Sequence, residues 1–166
     1  MMGRADAALH DPYARRTGGQ SDGFTLALKR EVPAAPAVVV RAFVDPDQFA
    51  EWFGPKGFSV ARVEFTPRVG ERYRLEMRPP DGEHFHVTGE VCEADLPRRL
   101  AFTFMYEEPH ADDVETHVVL SFRDLGESTE VDFTQGPFKT AERRALHQDG
   151  WSDSFDKLER FISTQA

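Results

Sequence analysis

Phe138-Lys139-Thr140-Ala141-Glu142-Arg143-Arg144-Ala145-Leu146-His147-Gln148-Asp149-Gly150-Trp151-Ser152-Asp153-Ser154-Phe155-Asp156-Lys157-Leu158-Glu159-Arg160-Phe161-Ile162 is the stretch that decides the fold. No proline follows Pro137, and most of these residues are good helix formers. Ala141, Ala145, Gln148, Trp151, Phe155, Leu158 and Ile162 recur at spacings of three and four, which predicts a shared helical face. Glu142, Arg143, Asp149, Asp153, Asp156 and Arg160 fall opposite. Among them Asp156 and Arg160 are spaced for an i,i+4 pair worth only ~0.3 kcal/mol. At about 1.5 Å per residue the helix runs roughly 35 to 40 Å, enough to follow a whole sheet.

The stripe is graded. Ala141 and Ala145 make its first half small, and Trp151, Phe155 and Leu158 make its second half bulky. Gly150 interrupts it, at a cost of about 1 kcal/mol relative to alanine. Two readings are open. The bulky half seals a core while the small half leaves space beneath it, or the whole stripe packs closely and Gly150 admits a neighbouring aromatic.

Upstream lies the surface such a helix would cover. Phe24, Leu26 and Leu28 alternate with polar neighbours up to Val32, a strand with one buried face and Arg30 on its inward side. Arg30 there either snorkels at the strand end or makes a polar contact in a pocket. Pro36 opens a short helix over Ala37–Phe43. Asp45-Pro46-Asp47 restarts a second with Asp45 as N-cap, completed by Trp52. Strand patterns follow at Phe58–Phe65, Tyr73–Met77, Phe85–Val91, Leu100–Tyr106, Val114–Phe122 and Thr129–Phe133, joined by short turns such as Pro79-Pro80-Asp81-Gly82. Short connections favour an antiparallel meander, and its one apolar face needs a cover. The C-terminal helix is the only element long enough to be that cover.

A chain of 166 residues is expected to form one domain, 23–166, behind a flexible tail at 1–22 that runs into it through the linker-like Thr17-Gly18-Gly19-Gln20-Ser21-Asp22-Gly23. The net charge of −9 argues against nucleic acid and anionic membrane surfaces as partners. The lone Cys92 suits a reducing cytoplasm, and no transmembrane run or signal sequence is read. A homodimer is plausible on general grounds.

The order strand, two short helices, six strands and a long helix is the helix-grip order, an α+β fold. The chain resembles the START-like (SRPBCC) superfamily, and within it the family named after the C-terminal domain of the activator of heat-shock-protein-90 ATPase. The resemblance covers roughly Phe24 to Phe161. It rests on the run from Arg30 to Val39 leading into Ala42-Phe43-Val44-Asp45-Pro46, then Trp52-Phe53-Gly54-Pro55 and Pro67-Arg68-Val69-Gly70. Asp81-Gly82, Gly89-Glu90-Val91, Arg99-Leu100 and Gly150-Trp151 complete it. Thr66 stands where the family often has an acidic residue, and Glu71 where it often has a second glycine. The resemblance implies a cavity between a curved sheet and the long helix, usually holding a hydrophobic small molecule.

The predicted inner face is apolar at Leu75, Met77, Phe85, Val87, Phe102, Phe104, Val118, Leu120, Val131 and Phe133, with polar tips at Tyr73, Tyr106 and Thr116. Such a lining suits apolar ligands with one or two orienting groups. Trp52 and Trp151 would flank the cavity's mouth and closed end. The expected ligand-binding set is therefore Trp52, Tyr73, Leu75, Met77, Phe85, Phe102, Phe104, Tyr106, Thr116, Val118, Phe133, Ala141, Ala145, Gln148, Trp151 and Phe155. The competing reading is a closed core in which these side chains fill one another's space.

No catalytic residue, metal site or cofactor is expected. His84 and His86 share a strand face, and His117 lies about 10 Å away by strand spacing. Alternation places all three toward solvent. His147 reads as an exposed helix position within reach of the pocket mouth. The acidic run Glu107, Glu108, Asp112, Asp113 and Glu115 reads as a solvated loop. No phosphate loop, nucleophile elbow or zinc spacing is present.

The function expected first is binding of a hydrophobic small molecule, as carrier or sensor. The alternative is an enzyme of the polyketide cyclase or hydratase kind, with Tyr73, Tyr106 or Arg30 polarising a carbonyl. A chaperone ATPase activator comes third, suggested by the family name alone. Such activators pair this domain with a separate N-terminal one, and here about 22 tail residues stand in its place.

Overall fold

The structure, a computed structural model, describes residues 23–165, so the expected tail at 1–22 lies outside the described residues. The elements are β1 (Phe24–Val32), α1 (Pro36–Val44), α2 (Pro46–Trp52), β2 (Ser59–Glu64), β3 (Arg72–Arg78), β4 (Phe85–Asp95), β5 (Arg99–Tyr106), β6 (Thr116–Asp124), β7 (Thr129–Phe138) and α3 (Ala141–Gln165). The seven strands form one antiparallel sheet in the order β1-β7-β6-β5-β4-β3-β2. The meander runs from β2 to β7, and β1 closes its far edge. No helix among the described residues is long and apolar enough to cross a membrane.

The two short helices form where local chemistry requires them. Pro36 starts α1 with its missing N–H at a position that has no intrahelical partner. Asp45 ends α1 and caps α2, its carboxylate accepting from the backbone N–H of Asp47 at 2.9 Å. The pair packs Phe43 and Trp52 edge to face, 4.9 Å between centroids, and the buried Trp52 indole donates to the Ala42 carbonyl at 3.0 Å. Trp52 is thus a core residue, away from any cavity mouth.

β7 runs five residues beyond the expected Phe133. Gln135 pairs with Leu26 of β1 and with Val118 of β6, and Phe138 with Phe24, so strands on both sides carry it onward. Gly136 permits this approach, since a Cβ there would lie 2.6 Å from Oγ1 of Thr25. The helix accordingly starts at Ala141, with Thr140 as N-cap accepting from the N–H of Arg143 at 3.1 Å.

The core fills the space between the inner sheet face and the second half of α3. Phe133, Trp151, Phe155, Leu158 and Ile162 are buried there. Arg30 anchors this half to β1. Its guanidinium reaches Asp156 and Glu159, both at 2.8 Å, and lies 5.7 Å above the Phe155 ring. Asp156 is thereby engaged across the interface, where the sequence suggested an intrahelical pair with Arg160.

In the first half of α3 the inward face differs from the expected one. Ala141, Ala145 and Gln148 are exposed, while Arg143, His147, Gly150 and Ser154 face the sheet. The reason is rotational. A helical residue turns about 100°, so each step of three falls about 60° short of a full turn. Two such steps back from Trp151 carry Ala145 about 120° round the helix, out of the interface.

Candidate functional site

Between this first half of α3 and strands β3 to β5 lies a cavity of about 420 Å³. That is within the range of small-molecule pockets. Met77, Phe85, Val87 and Phe104 form its sheet wall, and His147, Gly150 and Trp151 its helix wall. Phe53, Pro55 and Phe58, from the segment between α2 and β2, make one lip. Glu108, His110 and Asp113, from the segment between β5 and β6, make the other.

Each lip is held to α3. Ser154 accepts from the Gly54 N–H at 3.0 Å and donates to the Gly150 carbonyl at 2.9 Å. Asp153 accepts from the Lys56 N–H at 3.0 Å, and the Lys157 ammonium reaches the Pro55 and Phe58 carbonyls, both at 3.3 Å. Burial lowers the pKa of Lys157. Gly54 and Gly57 have φ of 113° and 87°, the left-handed conformation that lets this short lip fold back. The opposite lip is fixed by Arg143, whose Nε is 3.1 Å from Oδ1 of Asp113. The Asp113 side chain is only 6% exposed, so the pair is largely desolvated. Removing one partner would strand the other's charge.

Polar chemistry collects at this second lip. His147 is buried among Phe104, Tyr106 and Phe138. Its Nδ1 is 2.8 Å from the Arg143 carbonyl oxygen, and its Nε2 is 2.8 Å from the Tyr106 hydroxyl. A carbonyl only accepts, so Nδ1 carries a proton. Burial holds the imidazole pKa below its ordinary value; the nearby Arg143 charge lowers it further, against the hydrogen bond to Arg143 and the Asp113 charge. The neutral ring therefore offers a lone pair at Nε2, and Tyr106 donates to it. Burial pushes the Tyr106 hydroxyl pKa well up, keeping it protonated.

The floor is tied by a buried polar chain. Trp151 Nε1 donates to Oε1 of Gln135 at 2.8 Å, and Nε2 of Gln135 donates to the Thr116 hydroxyl at 2.9 Å. That chain satisfies polar groups that would otherwise be stranded in the apolar interior.

The expected ligand-binding residues separate into groups. Met77, Phe85, Phe104, Tyr106 and Trp151 line the cavity. Tyr73, Leu75 and Phe102 surround a separate inner void of about 20 Å³, too small for more than a water. Thr116 borders a crevice of about 10 Å³. Trp52, Val118, Phe133 and Phe155 are packed in the core, and Ala141, Ala145 and Gln148 are exposed. Tyr73 is committed elsewhere: its hydroxyl donates to the Thr103 carbonyl at 2.6 Å, over Gly89. Burial raises its pKa well above the ordinary phenol value.

Sequence reasoning missed Arg143, Gly150 and Ser154 as inward helix positions, and Gln135 because β7 was ended early. It also missed Phe53, Pro55 and Asp113, which reach the cavity from irregular segments with no period to read, and Phe58, read as the first residue of a strand that begins at Ser59. His117, expected toward solvent, is buried on β6 between Thr103 of β5 and Gly136 of β7. His84 is exposed against Glu76, as alternation predicts. His86, Glu107 and Glu108 bring one ligand atom each within 4.8 Å of one another. Arg74 pairs with Glu107 at 2.7 Å and the His86 ring lies 2.9 Å from Glu108, so each of the three already has a protein partner.

Residues 33–163 match the family described as activator of Hsp90 ATPase homolog 1-like protein. Protein CV1439 from Chromobacterium violaceum is similar at 25% identity and a TM-score of 0.76, over 83% of this chain and 96% of that one. The AHSA1 protein from Silicibacter pomeroyi is 24% identical with a TM-score of 0.76, over 86% of this chain and 99% of that one. The AHSA1-like protein from Aeromonas hydrophila is 22% identical with a TM-score of 0.70, over 86% and 94%. No curated protein matches the chain.

Proposed function

The chain belongs to the activator of Hsp90 ATPase homolog 1-like family, within the START-like superfamily, and on that premise we propose that it binds a hydrophobic small molecule between sheet and helix, as a carrier or sensor. One observation carries this reading: a cavity of about 420 Å³ with aromatic walls beneath the first half of a helix whose second half buries Phe155, Leu158 and Ile162 in the core. A folded interior is ordinarily close-packed, with few voids larger than a water. An aromatic-walled space of this size is therefore best used by displacing water with apolar surface, at about 25 cal/mol per Å² buried.

Organic extraction of the natively purified protein, analysed by mass spectrometry against a mock purification, tests the reading. A stoichiometric apolar compound is expected. An empty extract, together with no saturable change in tryptophan fluorescence on titration with biphenyl-sized aromatics, overturns it.

A second reading, a cyclase or hydratase, draws on the hydrogen-bonded Tyr106 and His147 at the cavity wall. Of the groups first considered for that chemistry, Tyr73 is bound to the Thr103 carbonyl and Arg30 is held by Asp156 and Glu159. Tyr106 remains at the cavity, and to polarise a carbonyl its proton would have to turn from Nε2 of His147 toward the substrate. Unchanged turnover of a candidate substrate by Tyr106→Phe would end this reading.

A further inference from the structure

The polar end of the cavity has a definite donor and acceptor sense. Nδ1–H of His147 is given to the Arg143 carbonyl, so its Nε2 must accept, and the single proton of the Tyr106 hydroxyl goes to it. The Tyr106 oxygen is left with lone pairs only. A hydroxyl already donating to a strong acceptor is a better acceptor itself. Ser154 adds no free donor, since its hydroxyl gives its proton to the Gly150 carbonyl while accepting from the Gly54 N–H.

Charge points the same way. The lining holds two carboxylates, Glu108 and Asp113, against one guanidinium, Arg143. Arg143 directs both Nε and Nη2 to Asp113. A carboxylate brought here would meet an acceptor oxygen and a net negative wall, whereas a hydroxyl donor would meet a matched partner. Apart from His110, whose Nδ1 accepts from the Asp112 N–H at 3.1 Å, the rest of the wall is aromatic or aliphatic, with Phe58, Phe85 and Tyr106 in edge or tilted contact.

We propose that the ligand is a neutral aromatic molecule bearing a hydroxyl group, seated with that hydroxyl donating to Oη of Tyr106, and that the same site selects against carboxylates. This rests on the binding reading above and deepens it. His147 acts through Tyr106 as a positioning residue, because it sets which way the phenol proton points.

Three probes with one skeleton test it: 4-phenylphenol, biphenyl and biphenyl-4-carboxylate, titrated into the full chain and followed by tryptophan fluorescence and calorimetry. The phenol is expected to bind roughly twofold to tenfold tighter than biphenyl, the span of one net hydrogen bond, and the carboxylate weakest. Tyr106→Phe should bring the phenol down to the level of biphenyl, the ratio of the two affinities in the variant being the readout. His147→Leu frees the Tyr106 proton to donate into the cavity, so the ketone 4-acetylbiphenyl should gain several-fold over its wild-type affinity. Thermal melts establish that both variants are folded; if Tyr106→Phe does not fold, the His147→Leu exchange of preference decides alone, and if neither folds, the wild-type ranking does. Equal affinities for phenol and biphenyl, or a preference for the carboxylate, overturn the donor assignment while leaving the binding reading standing. Absence of binding by all three probes overturns both.

Discussion

Trp151 of the long helix donates its indole N–H to Oε1 of Gln135, 2.8 Å away on strand β7. Both residues are buried, Gln135 completely. One side-chain amide thus joins the helix to the sheet and, through Thr116, to the next strand. Gln135→Leu keeps the volume and strands the indole N–H. An unpaired buried donor costs about 1–3 kcal/mol. Urea unfolding should show a loss in that range, with the slope of the transition unchanged.

The Arg30 contacts are weaker than their distances suggest. The Asp156 side chain is 55% exposed and that of Glu159 35%. Solvent screening limits such pairs to about 1 kcal/mol or less. Arg30→Met keeps the apolar stem against Phe155 and should cost about 0.5–1 kcal/mol. The difference from wild type should shrink at 1 M salt, where charges are screened within about 3 Å.

Gly89 tolerates no side chain. A Cβ there would sit 1.9 Å from the Thr103 carbonyl oxygen and 2.6 Å from the Tyr73 ring. Backbone cannot yield cheaply, so Gly89→Ala should destabilise by about 3 kcal/mol or more, the upper end for overpacking. Chemical denaturation against wild type measures this directly.

His147 should make stability depend on pH. Its folded pKa lies below 6.5, chiefly because burial penalises the charged ring. The unfolded chain therefore takes up the proton first as pH falls. Stability is complete above about pH 6.5 and declines as pH drops from there through the lower folded pKa. His147→Leu should flatten the dependence of Tm on pH in that window.

Filling the cavity should separate the two faces of the helix. Ala145 is exposed, so Ala145→Trp should leave probe affinity within about twofold of wild type. Gly150 lines the cavity, and its nearest obstruction to a Cβ is Pro55 at 3.4 Å. Gly150→Phe projects a ring into the space and should weaken biphenyl binding at least tenfold, while Tm confirms that the variant is folded.

The inward residues of α3 show how far a periodic pattern carries. Trp151, Phe155, Leu158 and Ile162 are buried as their spacing predicts, because an apolar residue at each helical turn has one solution, the core. Toward the N-terminus the inward positions are Arg143, His147, Gly150 and Ser154, which a search for apolar residues cannot find. It follows the alanines instead, and those small residues are free to face water.

The sequence alone determined the element order, the antiparallel meander, the caps at Asp45 and the sheet face that is apolar, because each depends on chemistry within a few residues along the chain. The tertiary structure alone decided which of those apolar residues face open space. Met77 and Phe104 border the cavity while Val118 and Phe133 are sealed in the core, though all four carry the same alternation signal. That difference comes from the rotation of one helix and from two irregular lips held by Arg143–Asp113 and Lys157–Pro55, contacts between residues 30 and 102 positions apart. No local pattern encodes partners at that separation. They exist only once the sheet has brought both lips to the same helix.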